Sequence, residues 1–544
     1  MSSFSSKQFV DGVTALTLST VFVKVMGLVY KIPLMHVLGA EGMGYFNSAY
    51  EMYTLFFIIS TAGIPIAISI MISENLAKGR IKNAEEVFKR SLLLLILIGT
   101  VGALLMCFGA DLISKAINSQ GSRQAIVFVA PTVLFISISA AIRGYFQGHG
   151  EMAPTAISQV VEALGRLVLG LGFAVFAKRK GLSIDEVAAF SILGLTVGTA
   201  ISSLYLCIIK SIRKQRALTD NGYIKSGREI VIGLLRLSIP VTVSSVIISL
   251  TRIIDMAMIT GRLCGEDNIS VYGAYSTMAL PIYNLPSSLV AGIAVALVPT
   301  AVSAVNSFKV DEGNKGVNSA FKLCSIVSLP MSFGIGVYSK QILEFLFTDE
   351  YDAILVSYPL LKVLSVSIPA SCLLLVLNSL LQASGKIMYP IYSILVGIVT
   401  KTVFSYVLIG MPKIGVLGAP ISTLLCNLVS VAVSLYFMER HTLFKIKFKE
   451  VFIKPLACAF LSTALSVLVF LTVCRSGGSE RLAFPIGALV CAAAYLLLVL
   501  FTKTLDEDEL SALPFGDRLC KINMRNIKNE KRRRNKKTFI EGKI

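Results

Sequence analysis

Residues 143–166 read RGYFQGHGEMAPTAISQVVEALGR, and residues 378–401 read NSLLQASGKIMYPIYSILVGIVTK. A shift of 235 places lays Gln147 on Gln382, Gly150 on Gly385, Ser158 on Ser393 and Val161 on Val396, and sets Arg166 against Lys401. Each copy is an apolar helix, a Q-x-x-G turn, a proline, and a second apolar helix with one cation midway. The shared order of features carries more weight than the identities. A second match supports it: Ala62-Gly63-Ile64 recurs as Ala291-Gly292-Ile293, and Lys24 falls opposite Arg252 at a shift of 228. The pattern predicts two equivalent halves facing one another across a site lined with positive charge.

Hydrophobic residues make up 55% of the chain and charged residues 15%. The mean hydropathy is +0.75. These values exclude an ordinary soluble domain. Many apolar runs are long enough to cross a hydrocarbon core of ~30 Å as helices. The N-terminal MSSFSSKQFVDG leads into a span too long for a signal-peptide core, so that span is expected to be retained. The ten cysteines are scattered singly and form no CxxC pair, and His36, His149 and His441 lie far apart. Neither a disulfide framework nor a metal site is indicated. The net charge is +19, and the tail from Lys503 holds the run KRRRNKK at 531–537. Beside a membrane such a run is expected to meet anionic lipid rather than nucleic acid.

Hydropathy places spans near 12–34, 45–72, 90–114, 124–147, 154–177, 187–209, 237–260, 271–302, 319–340, 354–382, 387–410, 414–438, 452–473 and 482–502. The expected fold is an all-α polytopic membrane protein of about fourteen transmembrane helices. Loops after spans two, six and twelve are rich in lysine and arginine, whereas QILEFLFTDEYDA at 341–353 has neither. Lys178-Arg179-Lys180 after span five is an exception. The positive-inside rule then puts both termini in the cytoplasm. Repeated cations lie six spans apart, and an even number preserves direction, so the repeats are parallel. The expected domains are an N-lobe at 1–209, a cytoplasmic inter-lobe loop at 210–236 and a C-lobe at 237–438. Two extra spans at 439–502 and a basic cytoplasmic tail at 503–544 follow.

Four cations fall within spans: Lys24, Arg166, Arg252 and Lys401. Each would cost at least ~2.5 kcal/mol at the bilayer centre facing lipid, so a wet cavity or a partner is expected. Such cations suit a phosphate. Their structural alternative is local pairing of Glu162 with Arg166, four apart, and of Arg252 with Asp255, three apart. Lys24 and Lys401 have no such local partner. Glu51, Glu162 and Asp255 are candidates for carrying a proton or sodium, or for salt-bridge support. Gly63 and Pro65 in span two, and Pro281 and Pro286 in span eight, are candidate hinges, with plain helix packing as the alternative. No G-x-S-x-G, H-E-x-x-H, Walker A or dinucleotide motif occurs, so nothing points to an enzyme.

Fourteen spans, two parallel six-helix lobes and a duplicated Q-x-x-G turn resemble the multidrug/oligosaccharidyl-lipid/polysaccharide exporter superfamily. The stretch KVMGLVYKIPLMHVLGAEGMGYFNSAY at 24–50 is similar to its polysaccharide-transporter branch, the stage V sporulation protein B group and the lipid II flippases. The resemblance covers roughly residues 10–500. It implies alternating-access flipping of an undecaprenyl-pyrophosphate-linked glycan or peptidoglycan precursor across the bacterial cytoplasmic membrane. It also implies pyrophosphate contacts from intramembrane cations, and Lys24 matches the first-helix cation of the flippases. Their eighth helix carries a cation as well, whereas YSTMALPIYNLPSSLVAG here carries none, leaving Arg252 and Lys401 as candidates for the C-lobe charge. No cofactor is implied beyond coupling to sodium, protons or membrane potential, and cell-wall synthesis enzymes are candidate partners. The competing expectation is a cation-coupled multidrug exporter of the same superfamily.

Overall fold

The computed structural model describes residues 6–213, 226–263, 267–306, 310–386, 388–442, 444, 446–447, 449–477, 479–502 and 504. The side chains of residues 6–18, 20, 21, 24, 295–306, 310–312 and 450 fall outside that description. The 531–537 basic run and residues 214–225 of the inter-lobe loop also lie outside the described residues. Every regular element among the described residues is helical. Among the described residues, twelve helical stretches are long and apolar enough to cross a membrane.

The first helix, α1, runs Ser6–Thr61, 56 residues. At 1.5 Å per residue that is ~84 Å of helix, far more than one crossing of ~30 Å requires. Its one departure from helical geometry is Gly39, at φ 65° and ψ −176°, a conformation open to glycine alone. The LGAEG turn between the first two spans is therefore reduced to one bent residue. A count of fourteen crossings follows if this stretch crosses twice and the run Asn268–Asn306 crosses once.

The helix stops at Thr61 and resumes as α2, Ile64–Ala77, with Gly63 at the N-cap and Pro65 in the first turn. A Cβ on Gly63 would run into the carbonyl oxygen of Ser238, so only glycine permits this approach. The second Ala-Gly-Ile copy behaves differently. It lies inside an unbroken helix, and the irregularity is a π turn, Tyr275–Ala279, upstream of Pro281. Pro65 starts a helix, where its missing N–H costs nothing, whereas Pro281 sits in a continuing helix that must absorb the lost donor.

Next come α3 (Ile81–Ala116), α4 (Arg123–Gly148), α5 (Ala153–Arg179), α6 (Ile184–Ile212), α7 (Gly227–Arg262), α8 (Asn268–Ala274) and α9 (Leu280–Asn306). They are followed by α10 (Val310–Val337), α11 (Ser339–Leu346), α12 (Tyr351–Ala383), α13 (Met388–Ile409), α14 (Gly418–His441), α15 (Lys454–Arg475) and α16 (Glu480–Phe501). The two Q-x-x-G turns close α4 and α12 in the same way. The Gly150 amide donates to the Gln147 carbonyl and the Glu151 amide to that of Phe146, both at 2.9 Å. In the second copy Gly385 donates to Gln382 at 3.0 Å and Lys386 to Leu381 at 2.9 Å. The glycines stand at φ 75° and 76°. This is a Schellman closure, where a Cβ would cost ~1–2 kcal/mol, so the repeated glycine is a geometric demand.

The chain forms two compact units. Unit 1 comprises Met1–Ile282, Leu343–Leu361 and Ile394–Cys426; unit 2 comprises Tyr283–Ile342, Lys362–Ser393 and Asn427–Ile544. In unit 1, α5 and α6 pack backbone to backbone. A Cβ on Gly198 would stand 2.9 Å from the Arg166 nitrogen and 3.0 Å from the Gly165 carbonyl carbon. Such small-residue contacts let dispersion hold helices together where lipid offers no hydrophobic drive. They also fix the part of α5 that bears Glu162 and Arg166. In unit 2, α15 and α16 pack on α10. The Tyr495 hydroxyl donates to the Ile326 carbonyl at 2.9 Å, and the Tyr338 and Ser466 hydroxyls pair at 2.7 Å. The two extra spans are thus anchored by aromatic hydroxyls that would otherwise be stranded in hydrocarbon.

Topology reporters fused after Ile544 and inserted within 214–225 are expected to read cytoplasmic. A reporter between Gln341 and Ala353 is expected to read external. A C-terminus mapped outside would contradict the parallel-repeat topology.

Candidate functional site

Charges that lie on separate helices in sequence meet inside unit 1. Lys401 on α13 donates to Asp255 on α7 at 2.7 Å, and both side chains are about 95% buried (4% and 5% exposed). The expectation that Lys401 lacks a neutralising partner is therefore corrected. Its partner stands on another helix, where i,i+4 spacing has no view of it. The other oxygen of Asp255 is buried without a hydrogen bond. Desolvating both ions costs several kcal/mol, which mutual attraction offsets only while both are present.

Local pairing of Glu162 with Arg166 is also replaced by a contact between helices. Arg143 on α4 reaches Glu162 at 2.9 Å and donates through Nε to the Ser158 hydroxyl, also at 2.9 Å. Ser202 on α6 lies 3.4 Å from the same guanidinium. Likewise Arg252 turns to Glu51 on α1, at 3.6 Å, rather than to Asp255 three places on. The Arg252 side chain is 42% exposed and the pair is loose. The second oxygen of Glu51 is buried and accepts no hydrogen bond.

Arg166 has no carboxylate at ion-pair distance among the described residues, although Glu162 interacts with it electrostatically. Its Nε is buried and unbonded, and its guanidinium carbon lies 5.9 Å from the Tyr30 ring centroid. The Tyr30 hydroxyl is held by Ser191 at 3.1 Å. From Tyr30 an aromatic ladder climbs α1: Phe46 at 6.2 Å, then Tyr50 stacked on Phe46 at 6.3 Å, then Tyr53 at 5.9 Å. Lys31 donates to the Ser276 carbonyl at 3.0 Å and interacts electrostatically with Glu51, Arg166 and Arg252. Lys24 lies on the same helix, but its side chain is outside the described residues.

The site thus sets five cations, Lys31, Arg143, Arg166, Arg252 and Lys401, against Glu51, Glu162 and Asp255. Two positive charges are in surplus, and Arg166 and Lys31 are the two without a carboxylate at ion-pair distance among the described residues. A surplus of this sign attracts an anion strongly where water is scarce. Sequence reasoning missed Lys31 and Arg143. Lys31 follows Lys24 by seven places, two helical turns, so both fall on one face of α1. Arg143 opens the first repeat copy, opposite Asn378 in the second.

The histidines take no part in a metal cluster among the described residues. His149 follows α4 and its Nδ1 lies 2.9 Å from the Tyr145 carbonyl; burial pushes its pKa down. Glu350 sits 3.9 Å from His36, and burial pushes its carboxyl above the usual range.

The polysaccharide biosynthesis protein family matches residues 9–305, and the MatE family matches residues 240–407. Three Bacillus subtilis (strain 168) proteins are similar along nearly the whole chain. The uncharacterized membrane protein YabM is 26% identical over 95% of this chain and 97% of its own. Stage V sporulation protein B is 25% identical over 95% and 99%, and lipid II flippase MurJ is 25% identical over 90% and 95%. Among solved structures, lipid II flippase MurJ in an inward closed conformation superposes with a TM-score of 0.71. That match has 16% identity and covers 90% of this chain and 98% of the other.

The buried Lys401–Asp255 pair predicts a thermodynamic asymmetry. Lys401→Met alone is expected to destabilise the purified protein by about 3–5 kcal/mol, because it strands a carboxylate. The Lys401→Met/Asp255→Leu double variant is expected to recover most of that loss. Thermal unfolding in detergent measures both, and equal destabilisation by single and double variants would contradict the pairing.

Proposed function

The chain belongs to the polysaccharide biosynthesis protein family, in the polysaccharide-transporter branch of the multidrug/oligosaccharidyl-lipid/polysaccharide exporter superfamily, and from that premise we propose its cargo and mechanism. It is a multi-pass membrane transporter of the flippase type, not an enzyme. The proposed cargo is an undecaprenyl-pyrophosphate-linked glycan or peptidoglycan precursor. The proposed motion is alternating access across the bacterial cytoplasmic membrane, with both termini cytoplasmic.

One observation carries this reading: a guanidinium and an ammonium, Arg166 and Lys31, with no carboxylate at ion-pair distance among the described residues, in a cluster of surplus positive charge. A pyrophosphate crossing the bilayer must exchange its hydration for such donors, and charge-assisted bonds to arginine and lysine are the strong ones. Arg252, partly exposed beside Glu51, is a third ligand, and Lys24 on α1 a fourth. Lys401 enters as the partner that holds Asp255 rather than as a direct ligand, because the pair is buried. Glu51 and Asp255 each keep one buried oxygen without a hydrogen bond, which suits them to carry the proton or sodium that couples the cycle. Gly63 and Pro65, at the break between α1 and α2, and Pro281 and Pro286 in α9 are the proposed bending points. The relative named as a lipid II flippase supports a lipid-linked precursor as cargo, and cell-wall synthesis enzymes are the proposed partners.

The MatE match over residues 240–407 favours a multidrug exporter as the second reading. A positive surplus weighs against a cationic drug, since the site would repel it.

Reconstitution into liposomes with a fluorescent lipid-linked disaccharide pyrophosphate tests the proposal, with arrival in the opposite leaflet as the signal. The protein is expected to speed equilibration, and Arg166→Ala to slow it by roughly tenfold or more, the loss of one charge-assisted hydrogen bond. Export of a cationic dye in place of the lipid would overturn the proposal in favour of the multidrug reading.

A further inference from the structure

Pro281 leaves a carbonyl without a donor, and Lys31 fills the place. In the π turn Tyr275–Ala279 the Leu280 amide donates to the Tyr275 carbonyl, five residues back. The next donor in that register, for Ser276, would come from residue 281, which is proline and has none. The Lys31 ammonium, from α1, donates to that Ser276 carbonyl at 3.0 Å. One residue on, the Thr277 hydroxyl accepts from Asn47 at 2.8 Å, so α1 grips the turn at two adjacent residues. Both grips lie within unit 1, whose first segment ends at Ile282, directly after Pro281.

Lys31 therefore has two claims on it. It stands among the charges of Glu51, Arg166 and Arg252, where the proposed anionic headgroup binds, yet its hydrogen bond goes to a neutral carbonyl. The bond to Ser276 is already charge-assisted through the ammonium, and a phosphate acceptor adds the attraction of a full opposite charge, so the phosphate bond is the stronger. An arriving phosphate would draw the ammonium away and leave Ser276 with no donor. A carbonyl stripped of its donor inside a helix destabilises that turn.

We propose that Lys31 is a coupling residue: its exchange from the Ser276 carbonyl to an anionic phosphate headgroup unlocks the π turn before Pro281, and so reports substrate binding to the start of α9. This rests on the reading of the cluster as an anion site. It adds to that reading a specific latch and the proline that makes the latch necessary. The latch is closed without anion and open with it. Replacing Pro281 by a residue with an N–H makes Lys31 dispensable to the turn.

Hydrogen exchange of the full-length protein, with and without inorganic pyrophosphate, tests the latch, and calorimetry records pyrophosphate binding in parallel. Pyrophosphate is expected to raise deuterium uptake in the segment 275–283 by roughly tenfold, the ratio that loss of one charge-assisted hydrogen bond gives. Lys31→Met, which has no donor, is expected to show the high uptake at rest and no further response, while Lys31→Arg keeps the low resting uptake. Pro281→Ala is expected to keep uptake low with or without pyrophosphate, and to stay low when combined with Lys31→Met. Pyrophosphate that binds the wild type but leaves this segment unchanged would overturn the latch while leaving the anion site standing. Absence of pyrophosphate binding would overturn both, which the calorimetric arm distinguishes.

Discussion

A charge among apolar helices must find a partner, and Lys401 with Asp255 is where this constraint is met most completely. The pair ties α13 to α7 across 146 positions of sequence, through one 2.7 Å hydrogen bond away from water. Its neighbours follow the same logic less fully. Arg143 divides its guanidinium between Glu162 and two serines, Arg252 holds Glu51 loosely, and Arg166 rests against Tyr30 with a buried, unbonded nitrogen. The gradient from closed pair to open cation separates parts that hold the helices together from parts left to meet a ligand.

Backbone geometry prepares the same site. Close approach at Gly165 and Gly198 fixes the α5 face that bears Glu162 and Arg166. The break at Gly63 and the π turn before Pro281 interrupt the two helical runs that the Ala-Gly-Ile repeat marks, each by its own route. Helices in lipid tolerate such interruptions only where other groups satisfy the freed polar atoms. Lys31 does so at the Ser276 carbonyl, and Asn47 holds the Thr277 hydroxyl beside it.

Much of this was legible in the sequence. The Q-x-x-G repeat announced two equivalent turns, and both glycines stand in the left-handed region with matching hydrogen bonds. Arg166, Arg252, Lys401, Glu51, Glu162 and Asp255 were recognisable because charge is rare within apolar spans. Their partners were not legible, because spacing along one helix reveals i,i+4 neighbours and nothing of the helix alongside. Lys31 escaped notice inside a stretch read for its glycines, although it lies two turns from Lys24 on one helix face. The latch needed three-dimensional placement, since nothing in YSTMALP says which carbonyl an α1 lysine will reach.

Surplus positive charge in unit 1 is proposed to select a pyrophosphate-headed lipid. Binding affinity measured across three polyprenyl lipids, by native mass spectrometry of the intact protein, tests it most directly. Undecaprenyl pyrophosphate is expected to bind more tightly than the monophosphate, and the neutral alcohol least. Arg166→Ala is expected to weaken the pyrophosphate lipid by roughly tenfold while leaving the alcohol unchanged. Equal affinity for all three lipids, or a pyrophosphate preference that survives Arg166→Ala in full, would contradict the account.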